Sequence, residues 1–451
     1  MAGKLKPLYV YVLTTFFNAG VSFLVFSFLT HLLSAEDYGI INLYAAFSIF
    51  LTPFIGVGMQ VMIGVDFFKL SEEDFKHQFV NSMALPLFST ILFSVLFLLF
   101  HQQVQDLLHV NFFFAVTFPL CCFMILVSDI ILILMRDKGL HYSFAGFSIA
   151  KNIVEIIATV VFIFFIPLAW KGRLIGSTSA LVLGLIIAIF LVRRWRLHEG
   201  RFNYARFKEN LKIGLPLVPE RLAVFVLSFS DRFFIEHFST VKDVGLYGAG
   251  AQVSVIVRLT IVTLVTTYQP AILRELAQTS PNYQVLSRTM LRFIGACAVT
   301  TLLMLAATPL IFHFFIGKEF LPGRNYAFFL TLGMFFSGMQ TMFNTYLLFL
   351  KKNRLLMMTS LIAVVVCCLL HYVNVKTFGP IGATYTSVIL YALISSVTLY
   401  NVHRFYGLRP VLLGKGTFRF ARKEPASMAT IAETTIETME HSGAIRAFRA
   451  V

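Results

Sequence analysis

Five charged residues lie inside two apolar segments of the stretch between Leu211 and Pro270. They are Glu220, Arg221, Asp231, Arg232 and Arg258. Each segment is long enough to cross a bilayer as a helix. A charge within a membrane helix is costly and faces protein or water rather than lipid, so by default it marks a functional site. Arginine also binds phosphate and carboxylate groups in a bidentate manner. The pattern therefore predicts a polar, anion-binding path through a membrane.

The spacing of these charges predicts which of them share a helix face. Glu220 and Asp231 are 11 residues apart, as are Arg221 and Arg232, which is about three turns and places each pair on one face. Neighbours on a helix do not face each other, so Asp231 is not expected to neutralise Arg232. Arg258 has no acid within a helical turn. We expect all three arginines to be cations of an aqueous cavity; the alternative for each is a structural ion pair.

A second set of charges lies in the preceding apolar segments. Lys151 and Glu155 have the i, i+4 spacing that favours a side-chain pair, and Asp129 lies at a similar depth one segment earlier. The alternatives are mutual neutralisation and an ion-sensitive latch, in which protonation of one acid frees Lys151. We predict that Lys151 is a fourth substrate-binding cation. Ion coupling or gating is assigned to Glu155, Asp231, Glu220 and Asp129.

The composition is that of an integral membrane protein. The 451 residues are 58% hydrophobic and 13% charged, with a mean hydropathy of +0.80. Unbroken apolar runs predict an all-α protein with about 12 transmembrane helices and exclude a strand barrel. The predicted spans are Leu8–Leu33, Gly39–Val65, Phe79–Phe100, Phe112–Met135, Phe144–Ile166, Leu174–Val192, Ile213–Ile235, Gly245–Pro270, Leu291–Ile316, Tyr326–Leu350, Leu355–Val375 and Ile381–His403.

Lysine and arginine are distributed unevenly between the connections. With the N-terminus placed in the cytoplasm, the cytoplasmic segments hold 26 of these residues and the opposite loops hold 6, including Arg173. This asymmetry predicts that both termini are cytoplasmic. It also accounts for most of the net charge of +15, so a nucleic-acid partner is not needed.

The two halves of the chain read as a repeat. Gly39 and Gly245 follow similar Asp-containing turns, and Gly176 and Gly382 follow an isoleucine; each pair is offset by 206 residues. Six spans per half predict two six-helix lobes related by a pseudo-twofold axis along the membrane normal, with a central site between them. The predicted divisions are an N-terminal lobe (1–195), a basic cytoplasmic linker (196–212), a C-terminal lobe (213–405) and a cytoplasmic tail (406–451).

Motifs of catalytic chemistry are absent from the sequence. There is no phosphate-binding GxxxxGK[ST] loop, HExxH, GxSxG or metal-spaced His/Cys cluster, and the five cysteines lie in apolar segments. We therefore expect no cofactor, no metal and no enzymatic activity. A secondary transporter driven by a gradient of ions or of substrate fits this pattern.

Four stretches carry a resemblance to a known family. The sequence resembles the Wzx-like O-antigen and polysaccharide flippases of the multidrug/oligosaccharidyl-lipid/polysaccharide exporter superfamily in His31–Tyr44, Ile213–Leu222, Ser230–Phe238 and Asp243–Gly250. The resemblance implies two lobes that expose a central cavity to each side in turn. It also implies the cargo, an oligosaccharide on polyprenyl diphosphate moved to the outer leaflet of the bacterial inner membrane. H⁺ or Na⁺ as coupling ion, membrane lipids and polysaccharide polymerase machinery are the further partners expected.

Two other functions stay open at this point. An ion-coupled multidrug exporter of the same superfamily would favour acidic and aromatic cavity residues, whereas the central charges here include several cations. A membrane glycosyltransferase or polymerase would need a large outer loop with catalytic residues, and every predicted outer connection is short.

Overall fold

The computed structural model describes residues 2–278 and 281–406, and every regular element within them is a helix. Most of the predicted tail therefore lies outside the described residues. The first half contains α1 (Ala2–Leu32), α2 (Ala35–Gly56), α3 (Met59–Lys69), α4 (Glu72–Leu99), α5 (His101–Leu108), α6 (Phe112–Asp137), α7 (His141–Val160) and α8 (Trp170–Arg194). The second half contains α9 (Tyr204–Gly214), α10 (Leu217–Phe229), α11 (Asp231–Phe238), α12 (Val241–Leu276), α13 (Tyr283–Phe315), α14 (Gly323–Phe349), α15 (Asn353–Phe378) and α16 (Ile381–Tyr406).

Ten of the described helices are long and apolar enough to cross a membrane, and a bent pair raises the number to eleven. The predicted tenth span lies in α14, which has 27 residues but is less apolar than these ten. Its polar residues, such as Gln340 and Asn344, lower its hydropathy. Because α14 packs between α12 and α16, part of its surface contacts protein rather than lipid, and such a helix tolerates polar side chains.

The predicted second span is two helices rather than one. α2 ends at Gly56, and both Val57 (φ 44°) and Gly58 (φ 72°) adopt the left-handed conformation before α3 begins. Pro53 lies one turn before the break and cannot donate a backbone hydrogen bond within the helix. After the break, α3 packs against α4 and α6.

The two predicted repeat turns meet where α2 and α12 begin. Ser34 caps α2 through the Asp37 amide, and Thr240 caps α12 through the Asp243 amide. Each of these residues differs from its counterpart by the same 206 positions as the glycines. The helix starts are therefore equivalent in both halves.

The glycines of these turns lie at a reciprocal contact between the two helices. A Cβ atom on Gly39 would overlap the Val241 carbonyl oxygen, and one on Gly245 would overlap the Ala35 carbonyl oxygen. Positions 35 and 241 are again 206 apart. We call this contact the α2–α12 crossing. Its geometry is consistent with the predicted pseudo-twofold relation.

The basic segment between the halves is folded onto the first half. Asn81 of α4 accepts a hydrogen bond from the Asn203 amide (2.7 Å) and donates one to the Arg201 carbonyl (3.0 Å). At the far end of α9, Gly214 is packed so closely that a Cβ atom would overlap the Val57 carbonyl oxygen. The break after α9 thus lies against the break after α2.

Candidate functional site: a chain of cavities between the halves

A cavity of about 730 Å³ lies between the two halves. Helices α1, α12, α14 and α16 and the α10–α11 junction form its walls. We call it the main cavity. Along α12 the lining residues recur at intervals of three and four, which places them on one helix face. They include Gly248, Ala251, Gln252, Val255, Arg258 and Leu259.

Arg258 projects from that face into the main cavity. It is exposed, whereas the preceding residue, Val257, is buried. Among the described residues Arg258 takes part in no ion pair, so its charge is available to a ligand. Arg258 thus lines the main cavity, and its role as a substrate-binding cation stays a prediction.

Arg232 also lines the main cavity, but an acid neutralises it. Its Nη1 lies 2.7 Å from Asp231 Oδ1, and both side chains are about nine-tenths buried. The same carboxylate accepts the Arg232 backbone amide at 2.9 Å and the Tyr247 hydroxyl through its other oxygen. The expectation that sequence neighbours would not pair is wrong here, because Asp231 begins a new helix and its side chain turns back onto the first amide groups.

The same helix break contradicts the prediction that residues 11 positions apart share one helix face. Helix α11 is bent by 54° from the helical segment that ends at Phe229. Glu220 and Arg221 consequently do not share a helix with Asp231 and Arg232. They line a different cavity, of about 430 Å³.

In the first half, Glu155 pairs with an unexpected partner. Its Oε1 lies 2.5 Å from Nη2 of Arg173, whose Nη1 donates to Thr159 Oγ1 at 3.2 Å. Lys151 has no ion pair among the residues that the structure describes, and its ammonium lies 5.7 Å from the centre of the Phe147 ring. Mutual neutralisation of Lys151 and Glu155, one of the two alternatives, is therefore wrong, because a guanidinium nitrogen of Arg173 on the adjacent helix contacts the carboxylate instead.

Asp129 belongs to the far end of the site. Its Oδ2 accepts a hydrogen bond from Gln60 Nε2 at 3.2 Å. Asp129 and Gln60 line the 430 Å³ cavity together with Glu220 and Arg221, and they also line a neighbouring cavity of about 260 Å³. Asp129 and Lys151 thus do not line a common cavity.

Five cavities share lining residues and form a series of neighbours. The main cavity shares Asn42 and Gln252 with a cavity of about 280 Å³, which shares Glu155 and Arg173 with one of about 230 Å³. That one shares Ser48 with the 430 Å³ cavity. All eight predicted site residues lie along this series: Arg258, Arg232, Arg221, Lys151, Glu155, Asp231, Glu220 and Asp129.

Sequence reasoning missed Arg173 and the amide groups nearby. Arg173 was assigned to an outer loop because the predicted span starts at Leu174, whereas α8 already begins at Trp170. Its spacing from Ser177, Ala180 and Leu181, which line the same cavity, is the signal that identifies the correct face. No group of three or more metal-ligating side chains occurs within residues 2–278 and 281–406.

Two curated relatives come from Haemophilus influenzae. "Lsg locus putative protein 1" is 26% identical over 195 residues, which is 42% of this chain and 49% of the relative. An "Uncharacterized membrane protein" is 22% identical over 313 residues, which is 68% of this chain and 74% of the relative. This chain thus matches about half the length of the first relative.

Solved transporter structures share the fold. "Lipid II flippase MurJ, inward closed conformation" superposes with a TM-score of 0.72 at 16% identity, covering 98% of this chain and 100% of that chain. An inward-facing multidrug resistance MATE family transporter gives a TM-score of 0.67 at 13% identity, covering 86% and 94%. Residues 5–275, more than half of the chain, match the family described as polysaccharide biosynthesis protein. The chain therefore belongs to the polysaccharide biosynthesis protein family of membrane proteins and has the fold of the MurJ and MATE transporters.

Proposed function

We propose that the protein is a flippase for an oligosaccharide attached to polyprenyl diphosphate. In this proposal it moves the cargo from the cytoplasmic to the outer leaflet of a bacterial inner membrane, for the synthesis of a surface polysaccharide. The lobes formed by residues 1–195 and 213–405 expose the cavities to each side in turn, and both termini lie in the cytoplasm. A gradient of H⁺ or Na⁺ drives the cycle. The family and the fold support this class of transporter.

The observation that carries the proposal is the unpaired cation in the main cavity. Asp231 cancels the charge of Arg232, so Arg258 leaves that cavity with a net positive charge. A diphosphate requires cationic partners once it leaves bulk water, and guanidinium binds phosphate oxygens in a bidentate manner. The prenyl chain can stay in lipid, so only the head group has to cross.

The experiment replaces Arg258 in cells that depend on this protein for surface polysaccharide. Arg258→Ala should lower polysaccharide export at least about tenfold, because a charge-assisted contact is lost. Arg258→Lys should restore part of the export. The matched control is Arg292→Ala, since Arg292 is exposed on α13 and lines none of the five cavities. Normal export by the Arg258→Ala variant, at normal protein level, would reject the proposed site.

A multidrug exporter is the second candidate. Asp129 and Glu220 in the 430 Å³ cavity favour it, because carboxylates suit cationic compounds. In that case Asp129→Asn would abolish resistance to cationic dyes, and Arg258→Ala would leave that resistance intact. Loss of polysaccharide with unchanged dye resistance distinguishes the flippase from this candidate.

A further inference from the structure

We infer that the 280 Å³ cavity beside the main cavity binds an uncharged sugar of the cargo, apart from the cation that holds the diphosphate. This inference rests on the flippase function proposed above and adds the chemical class of one sugar. We call this cavity the side chamber. It lies between α1, α2, α7 and α8, and α12 contributes Gln252 to its wall.

The side chamber adjoins the main cavity. Ser22, Asn42 and Gln252 line both spaces, so these polar side chains lie on the boundary that the two cavities share. Asn152 lines only the side chamber. A ligand whose anionic group lies at Arg258 can therefore place a neighbouring polar group in the chamber.

The charges of the side chamber cancel. Glu155 and Arg173, the two ionised side chains that line it, form an ion pair with an N–O distance of 2.5 Å. Arg173 also donates to Thr159 Oγ1 at 3.2 Å. Neither group presents an uncompensated charge to a ligand, in contrast to Arg258. An acidic sugar would lose hydration in the chamber without gaining a cationic partner.

The amide groups of the chamber are held in place by hydrogen bonds. Asn42 Nδ2 donates to the Tyr38 carbonyl at 2.8 Å, and Asn152 Nδ2 donates to Asn18 Oδ1 at 2.7 Å. Asn42 also hydrogen bonds with the Tyr38 side chain, so its carbonyl acceptor remains. Asn152 keeps one amide hydrogen and its carbonyl acceptor. Sugar hydroxyls both donate and accept, and fixed amides match them at low entropic cost.

A glycine on the opposite helix makes room for one of these amides. A Cβ atom on Gly248 of α12 would lie 2.6 Å from the side-chain atoms of Asn42. The amide therefore occupies space that any larger residue at position 248 would fill. Asn42 and Gly248 together therefore shape the boundary between the two cavities.

The test compares three ligands on the purified full-length protein in nanodiscs. The ligands are a short-chain prenyl diphosphate, the same lipid bearing N-acetylglucosamine, and the same lipid bearing glucuronic acid. The wild type should bind the N-acetylglucosamine lipid about tenfold more tightly than the bare lipid, as expected for a few net hydrogen bonds. The glucuronic acid lipid should bind less than twofold more tightly than the bare lipid. Equal binding of the first two ligands, or tighter binding of the acidic one, would overturn the inference.

Two variants locate the gain in affinity. Asn152→Ala should reduce the tenfold preference to about threefold or less, with unchanged binding of the bare lipid. Gln252→Ala should reduce the preference to the same extent. Gln252 makes no side-chain hydrogen bond within the described residues. Gln252→Ala therefore still tests the chamber if Asn152→Ala impairs folding. Asn325→Ala is the matched control, since Asn325 is exposed and lines neither cavity. A full preference in both chamber variants would refute the inference.

The same experiment separates this inference from the proposed function. Arg258→Ala should weaken all three ligands by a similar factor. If it weakens none of them, the diphosphate site is wrong, whereas the effects of Asn152→Ala and Gln252→Ala still report on the chamber.

Discussion

Helices α2 and α12 are alike where they begin and unlike further along. Ser34 and Thr240 cap them in the same way, and a glycine one turn later in each helix lies on the backbone of the other. Thirteen residues beyond these glycines, α2 carries Thr52 and α12 carries Arg258. The helices therefore share a packing contact and differ in chemistry.

The difference lies in how each side chain is satisfied. Thr52 donates its hydroxyl to the Ser48 carbonyl of its own helix at 2.6 Å, while Arg258 faces the main cavity without an acid partner in the described chain. In addition, α2 ends at Gly56 and α12 continues to Leu276. The crossing thus joins the two halves, and of these two helices only α12 carries a cation of the proposed diphosphate site.

The largest effect on stability is expected at the buried ion pair of the second half. Asp231→Asn leaves the buried guanidinium of Arg232 without its carboxylate, which should lower the free energy of unfolding by about 3–5 kcal/mol. Arg258→Ala should change it by less than about 0.5 kcal/mol, because Arg258 is exposed. Thermal unfolding in detergent measures both. Equal stability of the two variants would show that Arg232 and Arg258 do not differ in environment.

A smaller effect is expected at the crossing that the two helices share. Gly245→Val places side-chain atoms against the Ala35 backbone and should destabilise the protein by about 1–3 kcal/mol. Gly39→Val should behave alike, because the contact is reciprocal. Gly295→Val is the control, since a Cβ atom there meets nothing within 4 Å. Unfolding temperatures that place Gly245→Val beside the control would contradict the close contact.

The smallest effect is expected at the position where α2 differs from α12. Thr52→Ala removes a hydroxyl that donates to the Ser48 carbonyl of its own helix and also hydrogen bonds with Cys122, so its bonds are made within the protein. Polysaccharide export should therefore change by less than about twofold. Export assays on this variant and on Arg258→Ala measure the asymmetry directly. A loss of export as large as that of Arg258→Ala would mean that α2, like α12, contributes to the proposed diphosphate site.

The family resemblance and the all-helical fold could be predicted because they depend on local patterns. Long apolar runs predict the helices, whereas the close contact of Gly39 and Gly245 with the opposite backbone depends on tertiary packing and was not predicted. The pairing of Glu155 depends on which helix lies beside it, and no spacing within α7 reveals Arg173 on α8. The break at Ser230 was missed because an apolar run does not show where its helix bends.

The segment that joins the halves is secured to the first half at both of its ends. Asn203 is bound by Asn81, and Gly214 rests on the Val57 carbonyl oxygen. The connector is therefore held by α4 near its start and by the break after α2 at its end. In the proposed cycle, a tilt of α10 would act on the break after α2, because Gly214 at the end of α9 contacts it.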